Sequence, residues 1–199
     1  SADAGCGRTA RTHVLAVKNT PLAGVERTYA LTSTARPVST LVVKANSQGI
    51  ALLSFTNTVA QKVKVTGKVG SGAAQSVEAT FIADRSSAVL NKGELKLLNT
   101  GPVVANGSSL AQASARVLDS NNNPVSDVEV TFTVDGSARP VGAVVVKTNS
   151  QGIALLSLTN TVAEMVTVTG KVGSQPSQSV QASFIGDAAT ARIASGGII

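Results

Sequence analysis

The sequence is poor in aromatic and reactive side chains. Aromatic residues make up 3% of the 199 residues, with no tryptophan and one tyrosine, Tyr29. The single cysteine, Cys6, excludes a disulfide within either half of the chain. No apolar run approaches the ~18 residues that a membrane-spanning helix needs. We therefore expect no disulfide and no membrane span in this stretch, and a core of small aliphatic and β-branched residues, which favour strands.

The sequence contains a long internal repeat. Residues 35–71 recur at 138–174, displaced by 103 positions, and 29 of the 37 aligned residues are identical. A period of this length fits a whole small domain rather than a solenoid repeat. We expect a first domain at 1–87 and a second at 88–189, with 190–199 as the start of a further repeat or a free tail. Any function must be compatible with repetition.

Period-two alternation dominates the second copy. Val128, Val130, Phe132 and Val134 alternate with polar residues, which places them on one face of a strand. Similar stripes or apolar runs occur at 95–98, 111–117, 141–147, 153–159, 166–172 and 180–184. About seven short strands, separated by turn signals, predict an all-β antiparallel sandwich for each repeat.

Turn residues separate these strands. Asn121, Asn122 and Asn123 precede Pro124, and such residues tolerate the left-handed backbone region before a fixed φ. Gly152 follows Asn149–Gln151, where a positive φ is expected. Gly170 interrupts a strand and indicates a bulge or a close approach.

The two copies differ at their start. The chain begins at a point equivalent to Val104, so the first domain lacks a segment matching 86–103. We expect the first domain to lack its opening strand, or to borrow one from a neighbouring chain by strand exchange. The tail Ile193–Ile199 is a candidate donor by β-strand addition.

Three motifs of the second copy carry a family resemblance. They are the turn 119–125 followed by the alternating strand 128–132, the segment 148–154 of the form Thr-x-x-x-Gly-x-Ala, and the closing Val-x-Val-Thr-x-x-Val at 166–172. In this order they resemble the bacterial Ig-like (group 1) domains of the intimin/invasin family. Asn122 stands where that family usually has glycine, and the turn of the first copy is degraded, although the repeat extends the resemblance to residues 2–187.

The resemblance implies two tandem Ig-like antiparallel β-sandwich domains without a disulfide. It also implies a stalk or spacer module of an outer-membrane adhesin at the bacterial cell surface. The anchor would lie in a part of the parent protein outside this sequence. Expected partners are neighbouring Ig-like domains of the same chain and a host cell-surface protein or glycan.

Catalysis and metal binding have little support in the sequence. His13 and Cys6 are replaced by Arg116 and Ser109 in the second copy, so no repeated nucleophilic constellation exists. We expect no enzyme activity and no cofactor.

Asp119, Asn121 and Asn123 alternate like the start of a calcium loop, but the glycine and the distal glutamate of such a loop are missing and Pro124 follows at once. These three are interpreted as a turn and kept as weak metal candidates, with Asp127 and Asp135 as further oxygen ligands in principle.

The excess of positive over negative charge lies in the first copy. Residues 1–90 hold ten Lys/Arg against four Asp/Glu, whereas residues 91–199 hold seven of each. Lys62, Lys64 and Lys68 share the outward face of a predicted strand. An alternative function is therefore direct binding of an anionic host surface or glycan.

Nucleic acid is not expected as a partner, because no aromatic stacking platform accompanies the charge. An accessory domain of a secreted enzyme is a third hypothesis, although an aromatic sugar platform is also missing.

Overall fold

The computed structural model describes residues 2–3, 7–13 and 21–192, with backbone alone for the first two segments. Cys6 and the candidate donor tail Ile193–Ile199 lie outside the described residues. The chain divides into two compact units, Ser1–Ser86 with Ser120–Asn123, and Ser87–Asp119 with Pro124–Ile199. In the part that is described, no helix has the length and apolarity to cross a bilayer.

The described residues of the first unit form eight strands in two sheets. The strands are β1 Ala2–Asp3, β2 Gly7–His13, β3 Glu26–Leu31, β4 Arg36–Pro37, β5 Val42–Lys44, β6 Ile50–Thr56, β7 Lys62–Val69 and β8 Gln75–Ile82, followed by a 3₁₀ turn at Arg85–Ser87. Their order within the sheets is β1-β8-β7-β3-β5 and β2-β6-β4. All neighbouring strands are antiparallel except β1 and β8.

The second unit repeats this plan, with nine strands in the part that the structure describes. The strands are β9 Leu95–Leu97, β10 Val103–Val104, β11 Ala111–Arg116, β12 Glu129–Val134, β13 Arg139–Pro140, β14 Val145–Lys147, β15 Ile153–Thr159, β16 Met165–Val172 and β17 Gln178–Ile185, followed by a 3₁₀ turn at Ala188–Thr190. Its sheets have the order β10-β17-β16-β12-β14 and β13-β15-β11-β9, in which β10 and β17 are parallel. Two packed, largely antiparallel sheets of this kind form an Ig-like sandwich.

Alternation along the strands produces the core of the second unit, as the sequence predicts. Val130 and Phe132 of β12 are buried, and Val166 and Val168 of β16 are fully buried, while Glu129 faces solvent. Because the side-chain period of a strand is two, one face of each sheet is removed from water without burying the charged face. Each fully buried aliphatic side chain contributes about 1.5–3 kcal/mol relative to an exposed one.

The first unit packs a more aromatic core. Phe55 and Phe81 meet edge to face, with ring centroids 6.0 Å apart and an interplanar angle of 68°. Tyr29 is also buried, and its hydroxyl donates a hydrogen bond of 3.0 Å to the carbonyl oxygen of Ala51. In the second unit Leu158 occupies the position of Phe55. The same sandwich therefore accepts either residue at this core position.

One apolar run does not form the continuous strand that its sequence suggests. In the run 141–147 only Val145–Lys147 is a strand, and it lies at the edge of the five-stranded sheet. The preceding Arg139–Pro140 pairs instead with β15 of the other sheet. Gly142 has a φ of +103°, which only glycine adopts readily, and it lies where the chain passes between the two sheets.

The turns follow the sequence more closely. Asn122 has a φ of +64° and Gly152 a φ of +73°, so both positions require the left-handed conformation that was expected. A Cβ added to Gly152 would lie 2.6 Å from the carbonyl oxygen of Val117. Gly170 is a close approach, because a Cβ there would lie 3.3 Å from Leu90.

The opening strands differ between the two units. In the second unit β11 pairs with both β15 and β9, whereas no described strand of the first unit occupies the place of β9 beside β2. Ala2 pairs with Phe81 as Val103 pairs with Phe184, so β1 is the counterpart of β10. The offset there is 101 rather than 103 residues. Supply of the remaining strand by a neighbouring chain stays a prediction.

Candidate functional site

The predicted lysine face lies on β7 of the first unit. Lys62, Lys64 and Lys68 are exposed, and they alternate with Val63 and Val65, which are buried in the core. The three ammonium groups therefore project from the outer side of the five-stranded sheet, because successive side chains of a strand point to opposite faces. Their role in binding stays a prediction.

A glutamate partly neutralises this face. Glu78 on β8 pairs directly opposite Lys64, and its carboxylate lies 3.5 Å from the Nζ of Lys62. Both side chains of that ion pair are more than 60% exposed, so the pair stabilises the fold by at most about 1 kcal/mol. The lysines are thus available to a partner at little cost in stability.

The second unit lacks most of this charge. Met165 and Thr167 stand at the positions of Lys62 and Lys64, and Gln181 pairs with Thr167 where Glu78 pairs with Lys64. Three lysines and one glutamate give the first face a net charge of +2, whereas the single Lys171 gives its counterpart +1. The contrast between the two faces is therefore one unit of net charge.

The polar turn that carries the weak metal candidates is built mainly from buried groups. Asp119 is 2% and Asn123 is 5% exposed, whereas Asn121 is exposed. Asn123 belongs to the first unit, where its Oδ1 accepts from the backbone N–H of Ala60 at 2.8 Å and its Nδ2 donates to the Thr58 carbonyl at 2.9 Å. Its amide oxygen thus already has a protein donor.

The other oxygen ligands considered from sequence have protein partners of their own. Asp127 forms an ion pair of 3.2 Å with Lys147, and Asp135 accepts a hydrogen bond from the backbone N–H of Thr167. Among the residues that the structure describes, no three His, Cys, Asp or Glu side chains come together in a metal-binding group. His13 ends β2, opposite Ile50.

A carboxylate centre in the second unit was not found from the sequence. Oε1 of Glu164 accepts hydrogen bonds from Nδ2 of Asn160 at 2.9 Å and from the backbone N–H of Ser137 at 2.7 Å. These two hydrogen bonds, first that of Asn160, lower the pKa of Glu164 below its ordinary value of 4.5, since they stabilise the charged form. We name these three residues the carboxylate centre.

The first unit has a different arrangement at the same place. Gln61, Asn57 and Thr34 occupy the positions of Glu164, Asn160 and Ser137. The Gln61 amide donates to the hydroxyl of Thr34 at 2.7 Å, and that hydroxyl donates to Oδ1 of Asn57 at 2.8 Å. The repeat alignment contains the signal for this site, because position 61/164 is one of eight differences in the aligned 37 residues.

Two Ig-like sandwiches in tandem, with exposed charge on one face and buried polar groups in the turns, define a structural or binding module. Residues 97–185 match the family model of the bacterial Ig-like domain (group 1). The predicted resemblance to the Ig-like domains of intimin/invasin-type adhesins is confirmed by this match, which lies in the second unit. Adhesin domains of this kind are not enzymes.

Known proteins and solved structures are similar to this chain. The inverse autotransporter adhesin YeeJ of Escherichia coli (strain K12) is 31% identical over 123 residues, which cover 58% of this chain and 5% of that protein. The structure of Yersinia pseudotuberculosis InvD superposes with a TM-score of 0.66 at 13% identity, covering 96% of this chain and 57% of that one. The Escherichia coli adhesin FdeC gives 0.52 at 18% identity, covering 93% and 61%. These two structural likenesses show the fold.

Proposed function

We propose that this chain is an extracellular stalk or spacer module of an intimin/invasin-like surface adhesin. The observation that carries the proposal is the repeated sandwich, of which one copy matches the bacterial Ig-like domain (group 1) family, while the chain is also similar to a protein named as an inverse autotransporter adhesin. Each unit has its own buried core, so each can fold as a mechanical unit. The parent protein would be anchored in the outer membrane through a segment outside this sequence.

A spacer acts through its length and its resistance to unfolding. We would therefore delete one repeat from the full-length surface protein, and in a second strain replace it with an unrelated Ig-like domain of similar length. A spacer predicts that the deletion weakens cell adhesion and that the unrelated domain restores it. Failure of the replacement, with normal surface display, would contradict the spacer function and indicate a binding surface specific to this chain.

The lysine face favours a second candidate function, direct contact with an anionic host glycan. Lys62, Lys64 and Lys68 lie on one exposed strand face, whose net charge exceeds that of its counterpart in the second unit by one. The double variant Lys62→Met and Lys64→Thr gives this strand the residues of the second unit, where they are compatible with the fold. If the face binds, this variant weakens retention on a heparin column at low salt. Unchanged retention would remove the candidate.

A further inference from the structure

Part of the inner face of the first unit, along β8, is exposed to solvent. Val77 pairs directly with Val65 of β7, which is buried, so the two side chains lie on the same face of the sheet. Phe81 continues this face and is also buried. Val77 is nevertheless 61% exposed, and Ala79 beside it is half-buried. We name the inner side of Gln75, Val77 and Ala79 the open face.

The second unit covers the same face with its own opening segment. The counterparts on β17 are less exposed at each position, because Gln178 and Val180 are half-buried and Ala182 is buried. There β9 packs against β17, and Leu90 and Leu95 of the segment 87–97 are buried. This segment has no counterpart among the described residues of the first unit, which accounts for the exposure of the open face.

The end of the chain repeats the start of that opening segment. Residues 187–199 align with 84–96 at the same offset of 103. The 3₁₀ turn after β8 recurs after β17. In each turn an aspartate, Asp84 or Asp187, accepts a hydrogen bond at Oδ1 from the backbone N–H two residues later, at 2.9 and 3.0 Å. The repeat therefore restarts after β17 in its local structure as well as in its sequence.

The tail Ile193–Ile199 has the residue types that cover this face in the second unit. They are Ile193 for Leu90, Gly196 for Gly93 and Ile198 for Leu95. Gly93 has a φ of +84°, a conformation that glycine adopts readily, so a glycine at this position lets the tail bend in the same way. The tail thus carries two large apolar side chains at the spacing that the second unit uses to fill its own inner face.

We propose that the open face of the first unit binds the tail Ile193–Ile199 of a second copy of this chain. The tail covers Val77 and Ala79 as β9 covers β17. Its last residues extend the smaller sheet at β2, where Ile198 takes the register position opposite Thr12, as Leu95 lies opposite Ala115. Donor and acceptor surfaces differ, so the contact is heterologous and forms closed dimers or open chains of copies. The inference goes beyond the spacer function and does not depend on it.

The first test is the mass of the chain as a function of concentration, by sedimentation velocity. A reducing agent excludes a disulfide through Cys6, the single cysteine. For a short segment with two apolar anchors we expect a dissociation constant of about 10 µM to 1 mM, so the average mass should rise from one chain towards two over that range.

Two variants separate the acceptor from the donor. Val77→Asp alters the open face and Ile198→Asp alters the tail, and each alone should weaken self-association at least about tenfold, because a carboxylate would lose its water at an apolar contact. A one-to-one mixture of the two variants contains one intact face and one intact tail, and it should therefore form a dimer that neither variant forms alone. Val38→Asp is the matched control, since Val38 is a 65% exposed valine elsewhere in the first unit, and it should leave association unchanged.

Three outcomes would overturn the proposal. A chain that stays monomeric up to about 1 mM does so, including the case in which the tail covers the open face of its own chain. Association that neither variant weakens would show that the copies meet through another surface. A mixture of the two folded variants that stays monomeric would show that face and tail are not partners. If fluorescence of the buried Tyr29 shows that Val77→Asp does not fold, Ile198→Asp, beyond the last strand, decides: unchanged association would overturn the proposal.

Discussion

The two repeats have 29 of 37 residues in common between 35–71 and 138–174, yet they satisfy their polar groups differently. The shared residues build the alternating strands and the turns. The eight differences change core volume, surface charge and buried hydrogen bonds. Six of these eight differences have structural consequences, and they are Ser39/Gly142, Ala45/Thr148, Phe55/Leu158, Gln61/Glu164, Lys62/Met165 and Lys64/Thr167. One sandwich thus tolerates exchange of its polar contacts, which leaves each copy able to acquire its own surface chemistry.

The largest expected effect tests a feature that both units share, the glycine turn. Gly152 has a φ of +73°, and a Cβ would lie 2.6 Å from the carbonyl oxygen of Val117 and 3.1 Å from Cβ of Pro124. Gly152→Ala should lower the free energy of unfolding of the second unit by about 2–4 kcal/mol, because it adds a backbone clash to the left-handed strain. Urea unfolding followed through the methyl resonance of Met165, the single methionine, measures this.

Gly173 is the matched control for that substitution. Its φ is +51°, but a Cβ there would meet nothing within 4 Å. Gly173→Ala should therefore cost only about 1–2 kcal/mol, from backbone conformation alone. Equal losses for the two variants would show that the contact with Val117 does not matter.

The next effect concerns two hydrogen bonds of a hydroxyl group that only the second unit has at this position. The buried hydroxyl of Thr148 accepts from the backbone N–H of Val128 at 3.0 Å and donates to the carbonyl of Val125 at 2.7 Å. Thr148→Ala, which gives the residue of the first unit, should cost about 1–2 kcal/mol, because both backbone groups lose a partner. Thr148→Ser keeps the hydroxyl and should cost less in the same urea titration. A larger loss for serine than for alanine would contradict this explanation.

A smaller effect, of opposite sign, is expected at Ser33. This residue carries a side chain at a φ of +63°, where the second unit has Gly136. Ser33→Gly should stabilise the first unit by about 0.5–1 kcal/mol, since glycine adopts this conformation without the Cβ penalty. Fluorescence of Tyr29, the only tyrosine and 2% exposed, reports unfolding of the first unit. A destabilised variant would mean that the Ser33 side chain makes a contact worth more than the strain.

The smallest effect is the pH dependence of the carboxylate centre. Hydrogen bonds from Asn160 and Ser137 lower the pKa of Glu164 in the folded state below 4.5. Its stabilisation is therefore complete above the ordinary value of 4.5 and is lost as the pH falls through the lower, folded-state pKa. Glu164→Gln should destabilise the second unit at neutral pH, and the difference from the unmodified chain should shrink in acid.

The urea midpoint of the second unit, measured from about pH 7 to about pH 3 for the unmodified chain and for the Glu164→Gln variant, tests this pH dependence. The first unit has Gln61 at this position, so its midpoint should be the same in both chains at every pH. A difference between the two chains that stays constant with pH would show that the Glu164 carboxylate is not stabilised by folding.

Local sequence patterns predict much of the fold. The alternation of Val128–Val134 predicts β12, and the positive φ of Asn122 and Gly152 follows from the residue types that the turns require. Each of these features depends on residues close in sequence. The same holds for the outward direction of Lys62 and Lys64, which needs only the period of a strand.

The features that sequence alone misses depend on distant residues. The two-residue strands β10 and β13 are too short for any period to appear, and they exist because a neighbouring strand offers hydrogen bonds. The carboxylate centre joins Ser137 to Glu164, 27 residues apart. That the side-chain nitrogen of Asn57 lacks a hydrogen-bond partner is visible only in three dimensions.

Single-molecule force spectroscopy of the chain tests the central claim, that it consists of two separate mechanical units. We expect two unfolding steps, each releasing about 30 nm of contour length for some 90–100 residues at about 3.4 Å per residue. Gly152→Ala should lower the force of one step and leave the other unchanged. A single step that releases the whole length, or extension without a resisting step, would contradict the spacer function.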